Sequence, residues 1–169
     1  TAVLDLFRHE WELQRGAGTP ARIAIVDDAP REQLLFPEFL LAQRLFQRSG
    51  ADAVIADAAA LRFEGGRLLA GDVPIDLVYN RLVDFALEEP RHAALRAAYE
   101  SGATVVTPSP RVHALLADKR NLSLLSDRRK LTDWGLAAAH IERLCGIPHT
   151  ELVTSDNAER LWQERKKWF

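Results

Sequence analysis

Two short apolar segments, Arg22-Ile23-Ala24-Ile25-Val26-Asp27 and Ala51-Asp52-Ala53-Val54-Ile55-Ala56-Asp57, bracket the stretch that decides the fold. Both have strand length and β-branched residues, as expected of strands buried on both faces of a parallel sheet. Between them the polar loop Asp28-Ala29-Pro30-Arg31-Glu32 leads into Phe36, Phe39, Leu40, Gln43, Leu45 and Phe46, which read as an amphipathic helix. Ser49-Gly50 ends that helix, the glycine serving as a left-handed cap. A strand, a helix and a second strand in this order place the strands parallel, joined by a right-handed crossover.

The same reading extends outward. Upstream, Val3, Leu4, Phe7, Trp11 and Gln14 share one face of a helix over 2–14, ended by Gly16-Ala17-Gly18-Thr19-Pro20. Downstream, Leu61-Arg62-Phe63-Glu64 and Arg67-Leu68-Leu69 flank Gly65-Gly66, the signature of a hairpin with a primed two-residue turn. Asp76-Leu77-Val78-Tyr79-Asn80-Arg81 is a further strand. A loop with Asp84, Glu88, Glu89 and Pro90 then leads to a helix over 91–101, with Ala94, Leu95, Ala98 and Tyr99 inward and Gly102 as its cap. Thr104-Val105-Val106-Thr107 is a fourth core strand, stopped by Pro108-Ser109-Pro110. These elements predict an α/β domain with a mostly parallel sheet and one β-hairpin.

Beyond residue 111 the texture changes. Leu115, Leu116, Leu122, Leu124, Leu125 and Leu131 fall on short helices, and the next strand expected is Thr150-Glu151-Leu152-Val153-Thr154. Ser155-Asp156-Asn157 reads as the N-cap of a helix carrying Leu161 and Trp162. Lys166-Lys167-Trp168-Phe169 has the look of a strand just beginning, its two lysines also suiting a solvated helix end. The chain therefore divides into an α/β domain over 1–117 and an incomplete helical part over 118–169.

Composition narrows the classes of function. The 169 residues carry 22 basic and 24 acidic side chains, a net charge of −2, which excludes a strongly basic nucleic-acid binder. A hydrophobic content of 47% beside 27% charged residues excludes a disordered chain. No apolar run approaches the roughly 20 residues of a membrane helix, and Thr1 to Arg8 does not resemble a secretion signal. Cys145 has no second cysteine to pair with; a reducing, cytoplasmic location is expected. Methionine is absent, so a fragment or a processed product is expected. Only four lysines occur, Lys119, Lys130, Lys166 and Lys167.

In an open parallel sheet, ligands bind beyond the carboxyl ends of the strands. That rule collects Asp27, Asp28, Asp57, Asn80, Arg81, Thr107 and Ser109. Asp28, Asn80, Arg81 and Ser109 are the candidate substrate-binding residues, a mixed set suited to a small polar or zwitterionic molecule. Arg81 directly follows an apolar strand and could grip a carboxylate with two parallel hydrogen bonds, or pair with Asp84 or Asp28 instead. Neither a Gly-x-Gly-x-x-Gly fingerprint nor a Gly-x-x-x-x-Gly-Lys-Ser/Thr loop is present. His9, His92, His113, His140 and His149 are too scattered to suggest metal ligation. Cys145, beside Ala139, Ile141 and Leu144, is expected to be a buried inert thiol. No nucleophile–base pair is visible.

Two resemblances bear on function. Ile25-Val26-Asp27-Asp28-Ala29-Pro30 resembles the first strand and acidic pair of response-regulator receiver domains, which implies a non-catalytic signalling or binding module. Arg81 stands where such domains place a phosphate-accepting aspartate, and a guanidinium cannot accept a phosphoryl group. The longer resemblance covers roughly 102–169. It comprises Gly102-Ala103-Thr104-Val105-Val106-Thr107-Pro108, then Ala117-Asp118-Lys119-Arg120-Asn121-Leu122, then Cys145-Gly146-Ile147-Pro148-His149-Thr150-Glu151-Leu152-Val153.

This ordered set is similar to the opening of ATP-grasp ligases such as D-alanine–D-alanine ligases, glutathione synthetases and glutathionylspermidine synthases. The α/β part is similar in plan to their Rossmann-like pre-ATP-grasp domain. The resemblance implies a carboxylate–amine ligase that uses ATP and Mg and works through an acyl phosphate. Lys119 would reach the nucleotide phosphates, and Asn80 and Arg81 would suit the substrate carboxylate. A second lysine, a glycine-rich loop and the magnesium ligands would lie in the remainder of the parent chain beyond Phe169. The chain alone is then expected to be inactive, with Trp134, Trp162, Trp168 and Phe169 exposed where the parent packs.

Overall fold

The computed structural model of the protein describes residues 2–168. The chain folds as two compact units, Thr1–Ala114 and Leu115–Phe169, a boundary three residues before the one the sequence suggests.

The first unit is α/β. A four-stranded sheet is built from β1 (Arg22–Asp27), β2 (Asp52–Asp57), β6 (Leu77–Asn80) and β7 (Val105–Thr107), all parallel and in the spatial order β2-β1-β6-β7. A second, antiparallel sheet has three strands, β3 (Leu61–Glu64), β4 (Arg67–Ala70) and β5 (Val73–Pro74). Its tight turn is the Gly65-Gly66 pair, with φ of 56° and 73°, the positive values that a primed turn demands and glycine adopts without strain.

Alternation along the parallel strands sorts their side chains to two faces. Ile23, Ile25, Leu77 and Val105 form one core with Phe7 of α1 (Ala2–Arg15) and Phe39 and Phe46 of α2 (Phe36–Arg48). The rings of Phe7, Phe46 and Tyr79 meet edge to face there, with centroids 4.9 to 6.4 Å apart. Ala24, Val26, Val78 and Val106 form the other core, with Leu68 of the hairpin sheet and Leu95 and Ala98 of α3 (Ala93–Glu100). The parallel sheet is thus a middle layer between a helical layer and a mixed one. β2 lies at the sheet edge and is only half-buried after Ala53, where the sequence suggested full burial. Val3 of α1, expected inward, is exposed; Leu4, Phe7 and Trp11 carry the packing against the core.

The second unit consists of short helices. α4 (Pro110–Leu116) spans the boundary, followed by α5 (Arg120–Leu125), α6 (Arg128–Asp133), α7 (Ala138–Arg143) and α8 (Ala158–Gln163). Two sequence expectations fail here. Residues 150–154 form no strand; side chains take up their backbone amides instead, Thr150 N–H donating to Ser126 Oγ (3.1 Å) and Thr154 N–H to Asn157 Oδ1 (2.8 Å). The stretch expected to begin a further strand is a 3-10 turn at Arg165–Lys167, and Phe169 lies outside the described residues. The physical reason is shared: among the described residues of this unit no neighbouring strand offers a ladder, so local side-chain bonds prevail.

Candidate functional site

The connection out of β1 leads to β2 on one side, and the chain then returns to place β6 on the other. The strand order therefore reverses between β1 and β6, and the crevice beyond their carboxyl ends is the binding position of an open α/β sheet. Asp27 and Asp28 close β1; Asn80 and Arg81 close β6. The Arg81 amide extends the ladder by donating to Val26 O (2.9 Å), which brings the two strand ends together. Strand alternation then parts the four side chains. Asp27 and Arg81 continue the face that α1 and α2 cover, whereas Asp28 and Asn80 continue the α3 face.

On the α2 side, Arg81 pairs with Glu38 of α2 at 3.4 Å, not with Asp84 or Asp28. Its Nη1 donates to the Tyr79 hydroxyl (3.3 Å), and its guanidinium lies over the rings of Tyr79 (5.3 Å) and Phe39 (5.9 Å). Its Nε is buried and, among the described residues, has no acceptor. The side chain remains 26% exposed, so the cation is both fixed and reachable. Burial pushes the Tyr79 phenol above its ordinary value, with the Arg81 charge opposing and Glu38 adding to the rise. Burial likewise raises the Asp27 carboxyl; the Asp28 amide that donates to it and the Arg81 charge oppose the rise, and the charges of Asp28 and Asp57 reinforce it.

On the α3 side, the centre is a residue that sequence reasoning passed over. His92, fully buried in a 3-10 turn before α3, holds Asp28 through Nε2 (2.9 Å) and Asp84 through Nδ1 (2.8 Å). Burial works against its charge, but the hydrogen bonds from Asp28 and Asp84 and their charges outweigh it, and its pKa lies above 6.5. Burial also works against the Asp84 anion, but the amides of Glu89 and Glu88 and the His92 ring together hold its carboxyl below the usual range. Arg91 adds a 3.4 Å contact to the second oxygen of Asp28 and a 2.5 Å contact to Glu89.

Asn80 is buried, its Oδ1 accepting from Leu82 N–H (3.1 Å) and its Nδ2 donating to Pro108 O (3.4 Å), so it braces the two loops beside it. Ser109 Oγ accepts from Val112 N–H (3.2 Å) and caps α4. Asp57 accepts from Ala59 N–H (3.0 Å). The first unit thus brings Arg81, Asn80 and Asp28 to one crest.

Lys119 belongs to the second unit. It is exposed at the start of α5, beside Asp118, whose carboxylate accepts from Arg120 N–H (2.8 Å). Asp118 pairs with Arg120 at 2.5 Å, and among the described residues no carboxylate pairs with Lys119. Cys145, expected to be buried in a helix, is exposed in the 3-10 turn Leu144–Gly146, because α7 ends at Arg143, two residues earlier. A groove of about 870 Å³ in the same unit is lined by Pro148, Val153, Leu161 and Trp168, among others. Among the described residues no cluster of His, Cys, Asp or Glu could hold a metal ion, and no helix is long and apolar enough to cross a membrane.

No protein-family model matches the chain, and no curated protein matches it. The site therefore stands on its geometry. Sequence reading found Arg81 because a cation directly after an apolar strand is conspicuous. His92, Glu38 and Tyr79 carried no such signal: two sit on or before helices, and their meeting with strand ends is a product of the tertiary fold.

Proposed function

We propose that this chain is the substrate-side part of an ATP-dependent carboxylate–amine ligase of the ATP-grasp type, acting in the cytoplasm. The observation that carries the reading is Arg81 at the sheet's switch point. Its guanidinium is held over two aromatic rings, its Nε has no acceptor among the described residues, and its ion pair to Glu38 is long enough for a substrate carboxylate to displace. The ordered motifs at Thr107-Pro108, Asp118-Lys119 and Gly146-Ile147-Pro148 add support.

ATP with magnesium supplies the phosphoryl group in such ligases. Of the residues present, Lys119 fits that nucleotide: an exposed ammonium opening a helix, with no carboxylate partner among the described residues, is free to follow a phosphate. The magnesium ligands do not come from a cluster among the described residues. Arg81 binds and orients the carboxylate that is activated as an acyl phosphate and passed to the amine. The apolar surface of the second unit, with Trp134 and Trp162 exposed, suits a surface that further polypeptide covers.

A titration of ATP with magnesium against this chain and against one extended beyond Phe169 tests the reading. Clear binding by the longer chain only, weakened by Lys119→Ala, is expected. In the active longer enzyme, Arg81→Ala raises the carboxylate KM about tenfold or more, the scale of a lost charge-assisted hydrogen bond. Equally tight nucleotide binding by both chains sinks the proposal, and beryllofluoride binding with magnesium would instead support a receiver-like module.

A further inference from the structure

We infer that His92, Asp28 and Asp84 form a charge-gated clasp that fastens the 81–92 loop to the end of β1, and that this loop loosens in alkaline solution. Ionised carboxylates only accept hydrogen bonds. Both ring nitrogens of His92 face carboxylate oxygens, at 2.8 and 2.9 Å, so both must donate, and only the imidazolium has two N–H groups. Loss of one proton leaves a nitrogen lone pair against a carboxylate oxygen. The ring is 0% exposed, so water does not replace the lost bond in place.

The loop hangs on that clasp. Asp84 Oδ2 also accepts from Glu89 N–H (2.9 Å), and Asp84 O accepts from Leu87 N–H (3.1 Å). Leu82 and Leu87 are buried pins at either side of Asp84, and Leu87 sits at φ 57°, a left-handed backbone that a leucine keeps only where its surroundings impose it. Asp28 retains Arg91 when the ring becomes neutral. Asp84 has no such cationic neighbour in contact among the described residues, so the Asp84 end opens first.

Of the charged groups near the ring, Asp28 and Asp84 favour the cation. Asp27 and Asp28 lie at the end of β1, Asp57 at the end of β2, and Asp84, Glu88 and Glu89 on the loop itself. Arg91 precedes the ring, and Arg96 and Glu100 lie on α3, paired with each other at 2.8 Å. The 3-10 turn Ala58–Ala60, packed against Pro90–His92, carries no charge. The clasp does not depend on the ligase reading.

A nuclear magnetic resonance titration of the whole chain tests it. At pH 7 both His92 nitrogens are expected to be protonated, as their two carboxylate contacts require, with the ring titrating above its ordinary range. Across that titration the exchange protection of the Glu89 and Leu87 amides, corrected for intrinsic base catalysis, should fall about tenfold, the scale of one charge-assisted hydrogen bond. Protection at Ile25 should stay level. His92→Gln should leave the two loop amides weakly protected at every pH. A singly protonated ring at pH 7, or loop protection that ignores the His92 midpoint, overturns the inference. Should the variant not fold, the titration of the native chain decides alone.

Discussion

The two units use apolar residues in opposite ways. In Thr1–Ala114, side chains such as Phe39, Phe46, Leu68 and Leu95 are removed from water between three layers. In Leu115–Phe169, the buried apolar side chains among the described residues are Leu131 and Ile141, whereas Leu116, Val153 and Trp162 remain mostly exposed. Helices of six or seven residues do not stand on propensity alone and need a packed face. The difference teaches that leucine content does not make a core: a sheet gives side chains two large surfaces to converge on, and a row of short helices does not.

The contrast breaks most visibly at Phe39. Phe39→Ala empties a fully buried ring site and should cost about 3–5 kcal/mol in chemical denaturation of the first unit. Trp162→Ala, at a side chain 63% exposed, should change stability by less than about 0.5 kcal/mol. Similar costs for the two would mean that the second unit has a core of its own.

The dependence on pH should differ next. The raised His92 pKa contributes stability that is full below 6.5 and is lost as pH climbs through the higher folded value. The lowered Asp84 pKa contributes stability present above 3.8 and lost as pH falls through the folded value. The first unit should therefore weaken on both the alkaline and the acid side, the alkaline loss being of the order of one charge-assisted hydrogen bond, about 1.5–3 kcal/mol. In the second unit the shifted carboxylates Asp118, Glu151 and Glu164 are all lowered by hydrogen bonds to basic partners, so its decline should be on the acid side. Thermal melts from pH 4 to pH 10, followed by resonances of each unit, distinguish the two profiles.

A small effect of opposite sign is expected at Asp27. Burial and the nearby carboxylates of Asp28 and Asp57 make its anion unfavourable, whereas an amide still accepts from Asp28 N–H. Asp27→Asn should therefore stabilise the first unit at pH 7, by about 1 kcal/mol or less. A loss of stability instead would show that Arg81 depends on the Asp27 charge.

Much of the first unit was legible because its signals are local. The apolar runs at Ile23–Val26 and Leu77–Tyr79, the helical spacing from Phe36 to Phe46 and the Gly65-Gly66 turn each declare their element within a few residues. The second unit was less legible for the same reason: Leu152-Val153 reads as a strand by propensity, but a strand exists only where another chain segment completes its ladder.

The sequence by itself determined the order of strands and helices, the parallel pairing of β1 with β2 and the placing of Arg81 at a strand end, since periodicity and turn chemistry act over short distances. Only the tertiary structure decided which carboxylate meets which cation. Glu38 reaches Arg81 from 43 residues away, and His92 reaches Asp28 from 64. Those pairings depend on how helix and strand ends converge at the crest of the sheet, a geometry in which burial leaves each charge only the few partners that the fold brings within reach.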